Sequence, residues 1–375
     1  ETISTLVSMK TRRVNSPSDA TSGIGAAEAY VLRQFNAVQA QSYQGSFAVT
    51  EEPFPINWDN MTSVGTNVIG ILSGTDVGAG VIVLGAHYDS INYNFNDPNG
   101  YAPGADDDAT GIAALLEIAR ILSQRPHRAT IVFVAFSAEE IQRKGSQAFV
   151  SDYVKAHNID VKAMLNMDII GSNTGPNGAV DDSEIRLFSA DPNDSPSRQL
   201  ARELNLMGAR MTPNFSILVQ GAVDRAGRYS DHMSFSDAGY PAVRFVEALE
   251  EIDREHSERD IIDDIQADYL VKSTQTILAC MTALADGPPP PENIDLRQNS
   301  DGTRSLHWQP APGAAGYLVA LRHPDGITYS DYFPTSDTSV TWDGFVASRY
   351  VSLAIASVDA NGLMGPLSIE FGITS

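Results

Sequence analysis

The stretch RATIVFVAFSAEE, residues 128–140, decides the fold class of the first three quarters of the chain. It is a continuous apolar run, rich in β-branched residues, that ends in two glutamates. Such a run is typical of a strand buried on both faces of a sheet. A helical pattern precedes it at residues 110–124, and another strand pattern lies before that at residues 80–90. This order predicts an α/β fold with a mixed central β-sheet flanked by helices.

The same alternation continues on both sides of this strand. Further strand patterns occur at residues 66–74, 161–172 and 240–248, and further helical patterns at residues 195–208 and 267–285. In open sheets of this kind, binding and catalytic residues lie at the carboxyl ends of the strands. The end of each predicted strand is therefore the place where functional side chains are expected.

The composition changes at ADGPPPPENIDL, residues 285–296, where four consecutive prolines favour a stiff, extended segment. Short alternating runs separated by Gly, Pro, Asn and Asp follow, which is typical of a small β-sandwich. Trp308 and the run YVSLAIASVDANG at residues 350–362 resemble a fibronectin type III domain. The predicted organisation is an α/β domain at residues 1–286, a proline-rich linker at 287–291 and an all-β sandwich at 292–375.

Charge and composition narrow the range of partners. The 375 residues carry a formal net charge of −22, which argues against nucleic acid and against an anionic membrane surface. A hydrophobic fraction of 42% is enough for a sizeable core, and no apolar run is long enough to predict a membrane span. The single cysteine, Cys280, predicts a buried thiol without a disulfide framework.

Two groups of polar residues follow the first central strand. His87 and Asp89 lie two apart at its end and share a face, so the carboxylate can orient the imidazole for metal binding. The segment PGADDDATG, residues 103–111, then places three aspartates before a helix. Asp108 is suited to cap that helix, and one of the three carboxylates to bridge two cations. The alternatives are a structural histidine and a purely acidic capping loop.

Later strands end in further acids. Glu139 and Glu140 leave their strand in different directions, so one can bind a metal while the other faces a substrate. Asp168 lies in an apolar strand, where a carboxylate is unfavourable unless it is paired or bound to a metal. On chemistry alone, either His232 or His256 can supply another imidazole. Oxygen and imidazole ligands without thiolate suit zinc, and five of them around a bridging carboxylate suit two ions roughly 3.5–4 Å apart.

Together, the motifs GAHYDS, APGADDDATG, FSAEE with GS, NMDIIG and SDHMSFSDAGYPA resemble those of the M28 family of metallo-aminopeptidases, which use two co-catalytic zinc ions. The motifs occur in the family's order and cover most of residues 60–265. Each is weak alone, and all of them in order are specific. The resemblance implies a zinc-dependent aminopeptidase that hydrolyses the N-terminal peptide bond of peptides with a free N-terminus. The C-terminal β region lies outside it.

The resemblance also implies a role for each residue of the centre. His87 and Asp168 become ligands of one zinc, and Glu140 and a late histidine become ligands of the other. Asp107 bridges the two ions. Glu139 becomes the general base, and Asp89 orients His87. The late histidine is expected at His256, which follows the AGYPA strand, rather than at His232. In related structures the peptide bond after the bridging aspartate is cis, which predicts a cis bond between Asp107 and Asp108.

The residues that contact the substrate are less clearly marked in the sequence than the metal ligands. Tyr229, directly before the SDH motif, is a candidate to polarise the scissile carbonyl, as a tyrosine does in some members of the family. Ile169, Phe245 and Val246 are candidates for an apolar pocket that receives the N-terminal residue. Their alternative role is ordinary core packing.

Other functions are compatible with this scaffold. Glutaminyl cyclases of the same fold use a single zinc, carboxypeptidase-like and dipeptidase members cleave other bonds, and some relatives have lost their ligands and act as receptors. Every ligand position is filled in this chain, which argues against a receptor. The fibronectin-like region suggests, by analogy with bacterial hydrolases, a secreted or periplasmic protein. The chain begins at Glu1 without a signal peptide, which a processed or trimmed form would also show.

Overall fold

A computed structural model describes residues 1–94 and 97–374 of the chain. Within these residues the α-helices are α1 (Thr2–Ser8), α2 (Gly23–Gln41), α3 (Ala109–Leu122), α4 (Lys144–Ala148), α5 (Pro196–Met211), α6 (His232–Asp237) and α7 (Ala267–Asp286). A π-helical segment, Phe149–Lys155, continues directly from α4. No helix among the described residues is long and apolar enough to span a lipid bilayer.

The first eight strands form one sheet. They are β1 (Phe47–Trp58), β2 (Met61–Leu72), β3 (Val81–His87), β4 (Thr130–Phe136), β5 (Val161–Met167), β6 (Glu184–Ser189), β7 (Ser216–Val219) and β8 (Ala242–Glu247). Their order across the sheet is β1-β2-β4-β3-β5-β8-β6-β7. Strands β4, β3, β5 and β8 run parallel to one another, whereas β1, β2 and β6 introduce antiparallel pairs. The predicted mixed α/β sheet is confirmed.

The apolar run that predicted β4 is buried on both faces. Ile131, Phe133 and Ala135 join the large core that includes α2, α3 and α7. Val132 and Phe136, which point the opposite way, join the smaller core formed with α6 and the π-helical segment. Because successive side chains of a strand alternate between faces, a strand covered on both sides requires apolar residues at every position.

The path of the chain brings the strand ends together. The connection from β3 through α3 leads to β4 on one side of β3, and the connection through α4 then returns to β5 on its other side. The carboxyl ends of these parallel strands therefore meet at one edge, around the point where the chain changes direction. Such a switch point is where open α/β sheets place their sites.

The C-terminal region is all-β within the described residues. Its strands are β9 (Asp295–Gln298), β10 (Arg304–His307), β11 (Gly316–Arg322), β12 (Asp331–Thr335), β13 (Ser339–Trp342), β14 (Ser352–Val358), β15 (Met364–Leu367) and β16 (Phe371–Gly372). They form a three-stranded sheet, β13-β10-β9, and a five-stranded sheet in which β14 pairs with β11, β15 and β16. Two antiparallel sheets agree with the predicted sandwich, while its relation to fibronectin type III stays a prediction.

Strands β11 and β14 of the five-stranded sheet are buried on both of their faces. Val319 and Leu321 of β11 pack towards the three-stranded sheet. Leu318 and Ala320, on the opposite face, join the large core of the α/β region. The segment between the two regions is packed as well, since a Cβ added to Gly287 would lie 2.3 Å from the Cα of Gly365. The predicted domain boundaries therefore stay a prediction, although the strands divide at the predicted place.

Candidate metal centre

Asp107 lies at the middle of a cluster of imidazoles and carboxylates. Its Oδ1 is 3.1 Å from Nε2 of His87, and its Oδ2 is 3.2 Å from Nε2 of His256. The two histidines therefore approach the two oxygens of one carboxylate from different elements. His87 is the last residue of β3, and His256 lies in the loop between β8 and α7. The structure thus brings together residues that the sequence separates widely.

The first half of the cluster is deeply buried. His87, which is 1% exposed, has its Nε2 3.7 Å from Oδ2 of Asp168. Ser230 donates its hydroxyl to the same oxygen at 2.5 Å. Arg244 lies 3.0 Å from the other oxygen of Asp168. Asp168 follows the last residue of β5 rather than lying inside the strand, which corrects its predicted position; the strand ends where the carboxylate turns into the site.

The second half of the cluster lies nearer the surface. Nε2 of His256 is 2.9 Å from Oε2 of Glu140, and the imidazole is 33% exposed. The backbone of His256 has a φ of 52°, a left-handed conformation that few non-glycine residues adopt. Its carbonyl accepts a hydrogen bond from the amide of Tyr93 at 2.9 Å. A loop, and not a strand end, therefore positions this ligand.

Asp89 contacts both halves in a way that differs from the prediction. The Nδ1 of His87 hydrogen-bonds the main-chain oxygen of Asp89 at 3.1 Å, whereas the nearest carboxylate oxygen is 3.5 Å away. The carboxylate instead accepts hydrogen bonds from the backbone amides of Glu139 and Glu140, at 3.1 and 3.2 Å. Asp89 therefore orients His87 mainly through its backbone, and its side chain holds the turn that carries the two glutamates.

The three consecutive aspartates have separate contacts. Asp108 caps α3, because its Oδ1 accepts from the amide of Gly111 at 3.0 Å and its Oδ2 from the amide of His87 at 3.1 Å. The oxygen Oδ1 of Asp106 accepts from the amide of Gly171 at 2.8 Å. The peptide bond between Asp107 and Asp108 is cis. Both the cap and the cis bond confirm the predictions, and Asp107 is left facing the histidines.

Asp260 is a part of the site that the sequence did not reveal. Its two carboxylate oxygens accept hydrogen bonds from the backbone amides of Asp106 and Asp107, at 2.7 and 3.0 Å. It lies four residues after His256, so it joins the loop of one candidate ligand to the turn that carries another. No local pattern marks this contact. Arg244, by contrast, could have been found from the sequence. It is a lone charged residue in the apolar strand β8, and a buried charge of this kind needs a partner, as Asp168 does.

Electrostatics favour positive charge within the cluster. Burial lowers the pKa of His87, but the carboxylates of Asp168 and Asp107 outweigh burial and hold that pKa well above its ordinary value. The carboxylate of Glu140 raises the pKa of His256 to about 12. Burial favours a protonated Asp107, but the two imidazoles outweigh it and hold the pKa of this carboxyl well below its usual range. Cations bound among these groups would offset the repulsion between the carboxylates.

The donor atoms themselves fit zinc. Nε2 of His87 and Oε1 of Glu140 are buried and have no hydrogen-bond partner among the described residues. His87, Asp107 and Glu140 form one set of converging ligands, and His87, Asp108 and Asp168 form another. Within each set, one ligand atom from each residue lies within 4.8 Å of the others. Both oxygens of Asp108 already accept backbone hydrogen bonds, so Asp107 is the better ligand. Imidazole and carboxylate donors without thiolate match catalytic zinc sites.

The cluster opens into a cleft of about 450 Å³. Glu139, Tyr229 and Ile169 line it, and Tyr229 is 46% exposed. Phe245 and Val246 are fully buried and do not line the cleft, which corrects their predicted role. Both lie on β8, a central strand whose two faces are covered, so both side chains pack in the core.

His232 lies apart from the cluster. This agrees with the prediction that the late histidine ligand is His256 and not His232. Its Nε2 hydrogen-bonds the carbonyl of Val223 at 3.1 Å, and its imidazole is fully buried. Burial lowers the pKa of His232 to about 4, so the ring is neutral near pH 7. Its role is packing at the start of α6.

Comparisons with known proteins agree with this fold and identify the family. The family described as "Peptidase family M28" matches residues 67–281, more than half of the chain. A protein of Pyrenophora tritici-repentis named "Probable zinc metalloprotease" is 28% identical over 410 residues, covering 99% of this chain and 94% of its own.

Two solved structures share the fold. The aminopeptidase LapA of Legionella pneumophila superposes with a TM-score of 0.59 at 20% identity, covering 74% of this chain and 69% of its own. A glutaminyl cyclase of Porphyromonas gingivalis has a TM-score of 0.58 at 19% identity, covering 74% of this chain and 94% of its own. At these identities the likeness concerns the fold.

Proposed function

The chain belongs to peptidase family M28, and on that premise we propose that it is a zinc aminopeptidase that removes the N-terminal residue of peptides. The observation that carries this proposal is the convergence of two histidines on the two oxygens of Asp107, 3.1 and 3.2 Å away. A carboxylate approached in this way is suited to bridge two ions. In the proposed centre, His87 and Asp168 would hold one zinc, and Glu140 and His256 would hold the other.

The zinc ions, when bound, would act as Lewis acids on the scissile carbonyl and on the attacking water. Glu139 is the proposed general base. Burial raises the pKa of its carboxyl well above the ordinary range, which suits a group that must take a proton and then return it. In the proposed reaction, Glu139 accepts a proton from the attacking water and delivers it to the amide nitrogen that leaves.

The backbone around Glu139 supports this role. Its amide donates to the carboxylate of Asp89 at 3.1 Å, and its carbonyl accepts from the amide of Arg143 at 2.7 Å. The carboxylate is therefore held at the cleft by a fixed turn, as a group that moves protons between defined atoms requires. Tyr229, on the cleft wall, is the proposed hydrogen-bond donor to the scissile carbonyl.

The charge of the cleft also favours a free amino terminus. Glu139, Glu140 and Asp168 line it together. Carboxylates beside the reacting centre would attract the ammonium group of an unblocked peptide. This feature favours an aminopeptidase over a carboxypeptidase.

An assay with a panel of aminoacyl reporters tests the proposal. Metal-free protein should be inactive, and addition of zinc should restore hydrolysis of free aminoacyl reporters but not of their N-acetylated forms. Metal analysis of the restored protein should find two zinc ions per chain. A single zinc together with cyclisation of an N-terminal glutamine would instead favour the glutaminyl cyclase alternative, whose fold the chain shares.

A further inference from the structure

The cleft has a cationic wall beside the acidic centre. Four arginines line it: Arg143, Arg225, Arg228 and Arg244. The chain as a whole carries 25 basic against 47 acidic residues, so four arginines in one cleft are not expected from its composition. Their guanidinium groups differ sharply in what they contact.

Three of these arginines are paired with carboxylates. Arg244 lies 3.0 Å from Asp168 and 3.1 Å from Asp224. Arg225 forms ion pairs with Asp224 and Glu250, and Arg228 with Glu250 and Glu255. These ion pairs hold the three arginines in the wall of the cleft, and the carboxylates neutralise their positive charge.

Arg143 has no such partner within residues 1–94 and 97–374. No carboxylate lies within ion-pair distance of it, and its buried Nη1 has no hydrogen-bond partner there. Its guanidinium carbon lies 5.9 Å from the centre of the Tyr229 ring, a cation–π contact that holds the group against the cleft wall. A partly desolvated guanidinium without an anion gains most from a ligand that supplies one.

The chain also ties Arg143 to the reacting centre. It lies four residues after Glu139, and its amide donates to the Glu139 carbonyl at 2.7 Å. The amide of the next residue, Lys144, donates to the carbonyl of Ala138 at 2.9 Å. Two backbone hydrogen bonds therefore close the turn that carries both Glu139 and Arg143.

We propose that Arg143 binds a carboxylate of the substrate next to the scissile bond. This inference rests on the proposed aminopeptidase function and deepens it, since it defines which peptides the cleft prefers. The carboxylate has two possible sources: the side chain of an acidic N-terminal residue, or the free C-terminus of a short peptide. The planar guanidinium suits either, because it can donate two parallel hydrogen bonds to a carboxylate.

Pairs of substrates that differ only in one carboxylate test the proposal on the unmodified zinc-loaded protein. A glutamyl reporter is compared with a glutaminyl reporter for the first source, and leucyl-glycine with leucyl-glycinamide for the second. In one of the two pairs, the acid should have a kcat/KM roughly tenfold above that of its amide, as expected for one charge-assisted hydrogen-bonded pair. Ratios near one in both pairs would overturn the proposal.

Variants assign the preference to this residue. Arg143→Met should bring the acid-to-amide ratio close to one, and Arg143→Lys should retain part of it, because the charge remains without the planar fork. A ratio unchanged in Arg143→Met would refute the assignment. Arg33→Met is the matched control, because exposed Arg33 also stacks on a tyrosine, Tyr30, at 5.9 Å but lies on α2 away from the cleft.

The proposed aminopeptidase function and the proposed role of Arg143 can be refuted separately. Zinc content and thermal unfolding of each variant show whether it is folded and loaded. Absence of hydrolysis with every aminoacyl reporter would refute the proposed function itself. Hydrolysis of leucyl and glutaminyl reporters without any preference for the acids would refute only the role of Arg143.

Discussion

The two halves of the proposed metal centre are built differently. His87 is 1% exposed and ends a central strand, and its partner Asp168 is held by Ser230 and Arg244. His256 is 33% exposed and lies on a loop with a left-handed backbone. The inner half is therefore part of the sheet, whereas the outer half depends on hydrogen bonds between loops.

The inner half of the centre is therefore preorganised by the sheet, whereas the outer half can adjust its position. A ligand at the end of a buried strand keeps its position without help, because the sheet and core fix the backbone. A ligand on a loop depends on contacts between segments: Asp260, in the loop of His256, holds the turn of Asp107, and Asp89 holds the turn of Glu140. We therefore expect the inner half to bind zinc more tightly than the outer half.

The largest effect is expected from Glu139→Gln, which alters neither ligand pair. Glutamine cannot take a proton from water, so turnover of aminoacyl reporters should fall by about 10²–10⁴-fold. The zinc content should remain that of the unchanged protein. Steady-state kinetics together with metal analysis checks this, and retained turnover would refute Glu139 as the base.

Replacing each histidine tests the comparison directly. His87→Ala should lose the inner zinc and destabilise the fold by roughly 2–4 kcal/mol, since it also leaves buried carboxylates without a partner. His256→Ala should lose only the outer zinc, and its unfolding temperature should be close to that of the unchanged protein. Zinc per chain and thermal unfolding measure both. Equal losses in the two variants would contradict the proposed asymmetry.

Asp260→Asn examines the contact between the loop of His256 and the turn that carries the bridging Asp107. Asparagine keeps one acceptor oxygen but turns a donor towards an amide that needs an acceptor, so the turn carrying Asp107 should loosen. Zinc affinity should fall about 10–100-fold, as for other residues that orient metal ligands. A titration with a competing chelator measures this. The exposed Asp263→Asn is the control, and equal affinities in both variants would exclude this role for Asp260.

The smallest effect is expected away from the centre, where the C-terminal region meets α5. Glu203 is buried there and accepts a hydrogen bond from the amide of Leu367 at 2.8 Å. Burial raises the pKa of its carboxyl from 4.5 to about 8. The folded protein thus binds a proton that the unfolded chain releases, and stability should fall as the pH rises from 4.5 to 8.

Glu203→Gln should remove this dependence, because the amide is neutral throughout and its oxygen can still accept from Leu367. Near pH 8 the variant should melt roughly 2–5 °C above the unchanged protein, and near pH 4.5 the two should melt together. Thermal unfolding across this range measures the difference. A variant that is less stable at every pH would contradict the assigned pKa shift.

The local pattern of the chain determined much of this architecture. Apolar runs such as residues 128–140 predict strands buried on two faces, and the polar residues at their ends predict where a site lies. The same is true of Asp108, since a carboxylate just before a helix is a cap wherever the helix goes. The family resemblance then supplied the expected roles, including His256 in place of His232.

Only the tertiary structure decided how these groups are held and what else surrounds them. Asp260 supports the turn that carries Asp107 from 153 residues away, and Phe245 and Val246 are core rather than pocket because neighbouring elements cover β8. The partner of a carboxylate or of an arginine such as Arg143 comes from segments distant in the chain. Periodicity and spacing report only near neighbours along the chain, so the surroundings of these side chains become defined only when the fold is complete.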